Sequence, residues 1–230
     1  MTSIEQVVAF NNEGVAHFNA GAHAAAWDLL KGALEIHRIQ ASDPTMTHRP
    51  VCEELRSNVF YLRALEQYES RHRVSTPLGE RRACQPTPKK IQILTSDSAP
   101  SSDYLYLHTQ PIALPSMDGK SIAELRRSAA VVVFNMALLT QVCCRTSQEV
   151  LKRYRLASQL LGAPSKLAVV ILNNMAVWCV ENDALDSARR CMEEVSEMLH
   201  TISPEDSHRQ EIVANILWIF DPPTMVSPAA

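Results

Sequence analysis

The polar groups whose placement stands out in this sequence are side-chain amides. FNNEGVAHFNAG at residues 10–21 sets Asn11 and Asn12 inside a helical pattern, LNNMAVWCVEND at 172–183 sets Asn173 and Asn174 there, and VVFNMALL sets Asn135 there. Asparagine is a mediocre helix former, so its recurrence in apolar helical runs calls for a reason. A carboxamide carries an acceptor oxygen and two N–H donors, the complement of one peptide unit. A row of carboxamides can therefore pair with an extended main chain without reading its side chains. Two uses stay open: each amide bonds a helix or loop carbonyl of its own chain, or the row holds a bound peptide.

Other chemistry has little to work with. The chain has no phosphate loop, H-E-x-x-H, nucleophile elbow or dinucleotide fingerprint. His17, His23 and His37 share no metal-ligand face, and the i, i+4 pair His48 and Cys52 is two ligands short of a zinc site. Glu53–Glu54 and Glu193–Glu194 read as solvated helix faces. The six cysteines contain no C-x-x-C and read as free thiols on helices; a bridge between the adjacent Cys143 and Cys144 would be strained. The expectation is a protein that is not an enzyme and takes no cofactor and no metal.

The elements that carry the amides follow from periodicity. Val7, Val8, Asn11, Val15 and Phe18 recur at helical spacing, as do Trp27, Leu30, Ala33, Leu34 and Ile36, with Gly21 at the turn between them: a helical hairpin over 4–38. Residues 51–70 read as one long helix with Leu55, Val59, Leu62, Leu65 and Tyr68 near one face. Six of the thirteen prolines fall within 71–120, which argues against helix there. IQILT (91–95) and YLYLH (104–108) have strand composition and suit a hairpin around TSDSAPSSD. A connection this long reads as an insertion: a strap, a lid or an arm. Helices resume over 121–143, 147–161, 165–181, 184–200 and 205–219. SIAE (121–124) and TSQE (146–149) are capping-box patterns, LGAPS (161–165) is a stop and restart, and SPED (203–206) offers Ser203 as a cap with Pro204 in the first helical position. The tail DPPTMVSPAA is too proline-rich to continue.

The asparagines also mark a repeat. Asn12 is followed at offsets 2, 9, 14, 18 and 21 by Gly14, Gly21, Ala26, Leu30 and Ala33; Asn174 is followed at the same offsets by Ala176, Asp183, Ala188, Met192 and Val195. A third copy starts at Asn135 with Ala137 and continues through Val150, Tyr154 and Ala157 if its turn is one residue longer. This pattern resembles the tetratricopeptide repeat, a helical hairpin of about 34 residues with small residues where its two helices cross. Gly14 and Ala26, Ala137, and Ala176 and Ala188 are the helix-crossing positions. The separation of 39 from Asn135 to Asn174, and Arg38 where the family carries a proline, depart from the pattern. The chain is also similar to small repeat proteins of photosynthetic microalgae that share a VVFNMAL motif, an NNM motif and a PPT…PAA ending, a similarity that implies no activity.

The resemblance implies an all-α fold: hairpins stacked as a short right-handed α-solenoid, with a β-hairpin-like or irregular insertion. Its parts are a first hairpin plus long helix (1–70), the insertion (71–120), two hairpins plus a capping helix (121–220) and a tail (221–230), in one overall domain. In that family the first helix of each hairpin lines a concave peptide groove. The groove positions here are Asn11, Asn12, Val15, Phe18 and Asn19; Phe134, Asn135, Leu138 and Gln141; and Asn173, Asn174, Val177, Val180 and Glu181. The clamp by which some members grip a terminal carboxylate needs Lys or Arg, whereas the corresponding Asn11, Val15, Asn135, Val170 and Asn174 are all uncharged. Ile212, Ile216, Leu217 and Ile219 are expected to cover the third repeat, with Trp218 in that cover or at the surface.

Composition bounds the partners. At 46% hydrophobic residues the chain has material for a core, and a net charge of -3 argues against a nucleic-acid binder. The start MTSIEQVVAF lacks a basic n-region, and AAVVVFNMALL is about half the length that spans a bilayer. The expectation is a soluble intracellular protein, cytoplasmic or nuclear, with no membrane or nucleic-acid role. Its partner would be a protein or peptide bound in the groove, or else the groove is filled by the protein's own insertion. The local basic cluster Arg71, Arg73, Arg81, Arg82, Lys89 and Lys90 is a solvated loop, a site for an acidic partner or a nuclear address, with Thr76–Pro77 and Thr87–Pro88 as candidate modification sites.

Overall fold

A computed structural model describes residues 3–41, 92–94, 104–117 and 121–221. The expected helix over 51–70, His48 and Cys52, the basic cluster, the Thr-Pro sites and the tail from 222 lie outside these residues. The described residues are mostly helical: α1 (Ser3–Asn19), α2 (His23–Ala41), α3 (Ile122–Cys143), α4 (Gln148–Leu161), α5 (Lys166–Glu181), α6 (Leu185–Met198), a 3-10 turn (Leu199–Thr201) and α7 (Ser207–Phe220), with short strands β1 (Gln92–Leu94) and β2 (Tyr104–Tyr106). No helix among them is long and apolar enough to cross a membrane. The chain forms two compact units. The first comprises Met1–Lys89, Pro111–Leu139 and Gln159–Leu161; the second comprises Lys90–Gln110, Thr140–Ser158 and Gly162–Ala230.

In the first unit α1 and α2 pack as a hairpin. Its closeness is set at Gly14: a methyl added there would come within 3.1 Å of Leu30 Cγ and 3.4 Å of the Ala26 carbonyl oxygen. The turn requires a left-handed residue, supplied by Gly21 at φ +74°. The Gly21 N–H donates to Phe18 O and the Ala22 N–H to His17 O, the paired bonds that close a helix C-terminus. On α3, Ser128 through Leu139 are buried without a break. Buried His37 on α2 meets Ser128 Oγ at 3.1 Å through Nε2.

In the second unit α5 and α6 form a second hairpin. Leu167 through Cys179 are all buried, as expected of a helix apolar on every side. Its turn repeats the first: Asp183, at the position equivalent to Gly21, takes φ +59°. The Asp183 N–H donates to Val180 O and the Ala184 N–H to Cys179 O, the same two bonds. Aspartate tolerates this conformation better than most residues with a Cβ. Ala176 and Ala188 are fully buried, as are Ala26 and Ala137.

Four local expectations change. The strands do not form a hairpin: β1 and β2 pair in parallel, Gln92 opposite Tyr104 and Leu94 opposite Tyr106. A two-residue hairpin turn joins antiparallel strands only, so the parallel direction of β1 and β2 rules out the expected hairpin. The cap of α4 is Ser147, whose hydroxyl accepts from the Glu149 N–H, rather than Thr146. Ser203 and Pro204 form a turn ahead of α7, and Asp206 is the cap that accepts from the His208 N–H at 3.0 Å. Aspartate outcompetes the earlier serine because its charge also suits the positive helix end. On α7, which packs on α6, Ile212 and Ile219 are buried and Trp218 is half-buried, but Leu217 is 64% exposed and lies outside the cover expected of it.

Candidate binding site: two asparagine clamps

The segment 104–117 is strand over Tyr104–Tyr106 and irregular beyond it, and asparagines grip its backbone in each unit. In the first unit, Asn12 Oδ1 accepts from the Leu114 N–H at 2.7 Å while its Nδ2 donates to Leu114 O at 2.8 Å. Asn135 does the same two residues earlier, accepting from the Ile112 N–H and donating to Ile112 O, both at 2.8 Å. Each carboxamide stands where a neighbouring β-strand would stand. Asn11 ties the two together: its Nδ2 donates to Ile112 O at 3.0 Å and to Asn12 Oδ1 at 3.1 Å, and its Oδ1 accepts from Asn135 Nδ2 at 2.9 Å.

The second unit repeats this arrangement atom for atom. Asn174 accepts from the His108 N–H at 3.0 Å and donates to His108 O at 2.9 Å. Asn215 on α7 pairs with both backbone groups of Tyr106 at 2.7 Å. Asn173 plays the part of Asn11: it donates to Tyr106 O at 3.1 Å and to Asn174 Oδ1 at 3.4 Å, and accepts from Asn215 Nδ2 at 2.8 Å. A clamp is thus an Asn-Asn pair on one helix and a single Asn on another, closing on alternate residues of an extended chain. Alternation follows from the strand period of two, which returns N–H and C=O to the same edge at every second residue.

Behind Asn174 the polar network continues. Its Nδ2 donates to Tyr154 Oη at 3.2 Å, and the Tyr154 hydroxyl donates to Gln141 Oε1 at 2.7 Å. Burial pushes the Tyr154 phenol above its ordinary range, so it stays a neutral donor. Burial also raises the Glu181 carboxyl, opposed by Arg145 at 3.7 Å and by the Gln141 amide. At the other end of the clamp the Tyr106 hydroxyl lies 2.6 Å from His208 Nδ1 and 3.2 Å from His108 Nδ1, with its ring stacked on that of His208. Burial, then Glu211 and Asp206, raise the Tyr106 phenol. Burial first, and His208 second, push His108 down to about 4.

Of the expected groove residues, Asn11, Asn12 and Asn135 meet in one clamp and Asn173 and Asn174 in the other. Gln141 orients Tyr154 rather than touching the segment. Val15, Phe134, Leu138 and Val177 are core; Phe18 and Val180 are half-buried, Phe18 packing its ring on His23 across the turn. Asn19 is exposed at the end of α1 and joins neither clamp. Tyr154, His208 and above all Asn215 were missed. IVANILW (212–218) has the same apolar setting as VVFNMAL and ILNNMAVW. It hides because Leu217 replaces the small residue two positions on, and an exposed side chain there has no close helix crossing to satisfy. Among the described residues no three His, Cys, Asp or Glu side chains converge as a metal site would require. The four cysteines among them are free; burial pushes the Cys191 thiol up to about 12, far from a reactive thiolate.

No protein-family model, curated protein or solved structure matches the chain.

Proposed function

We propose that this protein acts by binding and not by catalysis, as an interaction module of tetratricopeptide-like hairpins stacked in a short solenoid. Its asparagine clamps recognise extended polypeptide backbone, and its own segment 104–117 is the resident ligand. The observation that carries this is the set of four two-bond pairs, Asn12 with Leu114, Asn135 with Ile112, Asn174 with His108 and Asn215 with Tyr106. All spend side-chain amides on main chain, the one feature every peptide shares. The matched offsets and matched turns of α1–α2 and α5–α6 support the repeat assignment.

The test is amide hydrogen exchange on the wild-type chain and on Asn135→Ala with Asn174→Ala. The reading expects slow exchange at Ile112 and His108 that becomes fast in the variant, together with a changed set of partners in affinity purification. Unchanged protection with the fold intact would sink it.

A second reading is favoured by how fully the amides are used. Asn11, Asn135, Asn173, Asn174 and Asn215 each commit both Nδ2 hydrogens. On that reading the segment is a permanent strut, and partners or a second copy meet the outer faces. Deleting residues 75–115 then exposes apolar surface and raises dye binding, and the clamps never exchange their occupant.

A further inference from the structure

The two clamps treat side chains differently. In the first unit Ala113 is exposed, Ile112 half-buried and Leu114 buried, so of the two clamped residues only Leu114 has its side chain out of solvent. In the second unit Leu105, Tyr106, Leu107 and His108 are all buried. The Tyr106 hydroxyl is the centre of a polar pocket: His208, supplied by α7, faces it at 2.6 Å, and His108 of the segment faces it at 3.2 Å. A phenol has one hydrogen to donate and lone pairs to accept, so it satisfies one imidazole nitrogen as acceptor and another as donor. Phenylalanine would remove the hydroxyl that both nitrogens face, including the short contact to half-buried His208. A phosphorylated tyrosine would bring two negative charges toward Asp206 and Glu211, the groups that already act on this phenol.

We propose that the second unit is a tyrosine-specific peptide receptor, taking extended segments of the pattern apolar–Tyr–apolar–polar, of which residues 105–108 are the internal mimic. This rests on the reading of the clamps as peptide sites. Asn215 and Asn174 set the register two residues apart, the flanking apolar residues fill the buried positions of Leu105 and Leu107, and His208 selects the hydroxyl. The resident segment is tethered, with an effective concentration on the order of millimolar, so an external peptide of equal quality competes poorly until the resident is weakened.

The test uses the full chain carrying Leu105→Ala, Tyr106→Ala and Leu107→Ala, titrated into a fluorescein-labelled peptide of residues 103–110 and read by fluorescence anisotropy. Binding is expected at least tenfold tighter than to the wild-type chain. A peptide with Phe at position 106 should bind about tenfold more weakly, the worth of one hydrogen bond, and the phosphotyrosine peptide should not bind. Adding Asn174→Leu to the weakened chain should abolish binding. Should circular dichroism show the triple variant unfolded, Tyr106→Phe, which keeps every backbone bond, replaces it with the same expectation of tighter binding than wild type. Equal binding of the Tyr and Phe peptides, or no binding up to millimolar chain while the variant is folded, overturns the proposal. If the peptide fails but the amides of Tyr106 and His108 are protected in the wild type, this inference falls and the clamp reading stands.

Discussion

Asn174→Ala is the sharpest perturbation of the clamp design. Asn174 is fully buried and joins four hydrogen bonds: from the His108 N–H, from Asn173, to His108 O and to Tyr154 Oη. Alanine removes all of them and leaves the N–H and C=O of a buried residue without partners. Each stranded group costs about 1–3 kcal/mol, and the lost carboxamide leaves a small cavity, so the sum is roughly 3–5 kcal/mol. The same change at Asn19, exposed at the end of α1, should cost less than about 0.5 kcal/mol. Asn12 lies between, since it is half-buried and water can take over part of its work. Urea unfolding followed by tryptophan fluorescence gives the three values on one scale. Buried Trp178 and half-buried Trp218 report on the unit that holds Asn174. A loss below about 1 kcal/mol for Asn174→Ala, or an Asn19 variant that loses as much, would refute the idea that these amides hold the segment.

Further tests follow from the same geometry. His108 is buried and neutral, with its folded-state pKa near 4 against an ordinary 6.5. Stability from this group is therefore fully present above about 6.5, falls as pH drops, and is lost by about 4, a swing of roughly 3 kcal/mol; His108→Gln should remove about half of the slope in denaturant titrations between pH 7 and 4, the other half coming from His37, which burial likewise lowers to about 4. Gly14→Val drives a branched side chain into Leu30 at a crossing with no slack, and should lower stability by about 2–3 kcal/mol in thermal unfolding. At Gly21 an added Cβ meets no atoms within 4 Å, so Gly21→Ala is expected to lose about 1–2 kcal/mol from backbone strain alone. In hydrogen exchange, Asn12→Ala should deprotect the Leu114 amide while leaving that of His108 slow.

Much of the scaffold is legible in the residues because it depends on local chemistry. Helix ends follow from Ser165, Gly21 and Gly162, and the hairpin offsets from the need for small residues at a crossing. Asn11, Asn12, Asn135, Asn173 and Asn174 stand out in the sequence because a polar amide in an apolar helical run is costly without a partner. What those amides hold was not legible, since the partner is 23 to 102 residues away in sequence and pairs through main-chain atoms that every residue possesses. A main-chain partner leaves no side-chain signature. The β1–β2 direction was hidden for the same reason: two short apolar runs read alike whether they pair parallel or antiparallel.

The clamp asks for an N–H at Ile112 and at Leu114, and so forbids proline at both. The chain places prolines beside them, at Pro111 and Pro115. Were the segment to slide one residue in one direction, Pro111 would face Asn135; one residue in the other, and Pro115 would face Asn12. Either slip presents an asparagine oxygen to a residue with no hydrogen to give. The prolines that mark 71–120 as unhelical thus also work as stops on a sliding bolt: they bar both one-residue slips of a stretch whose first-unit holders pair with main chain alone.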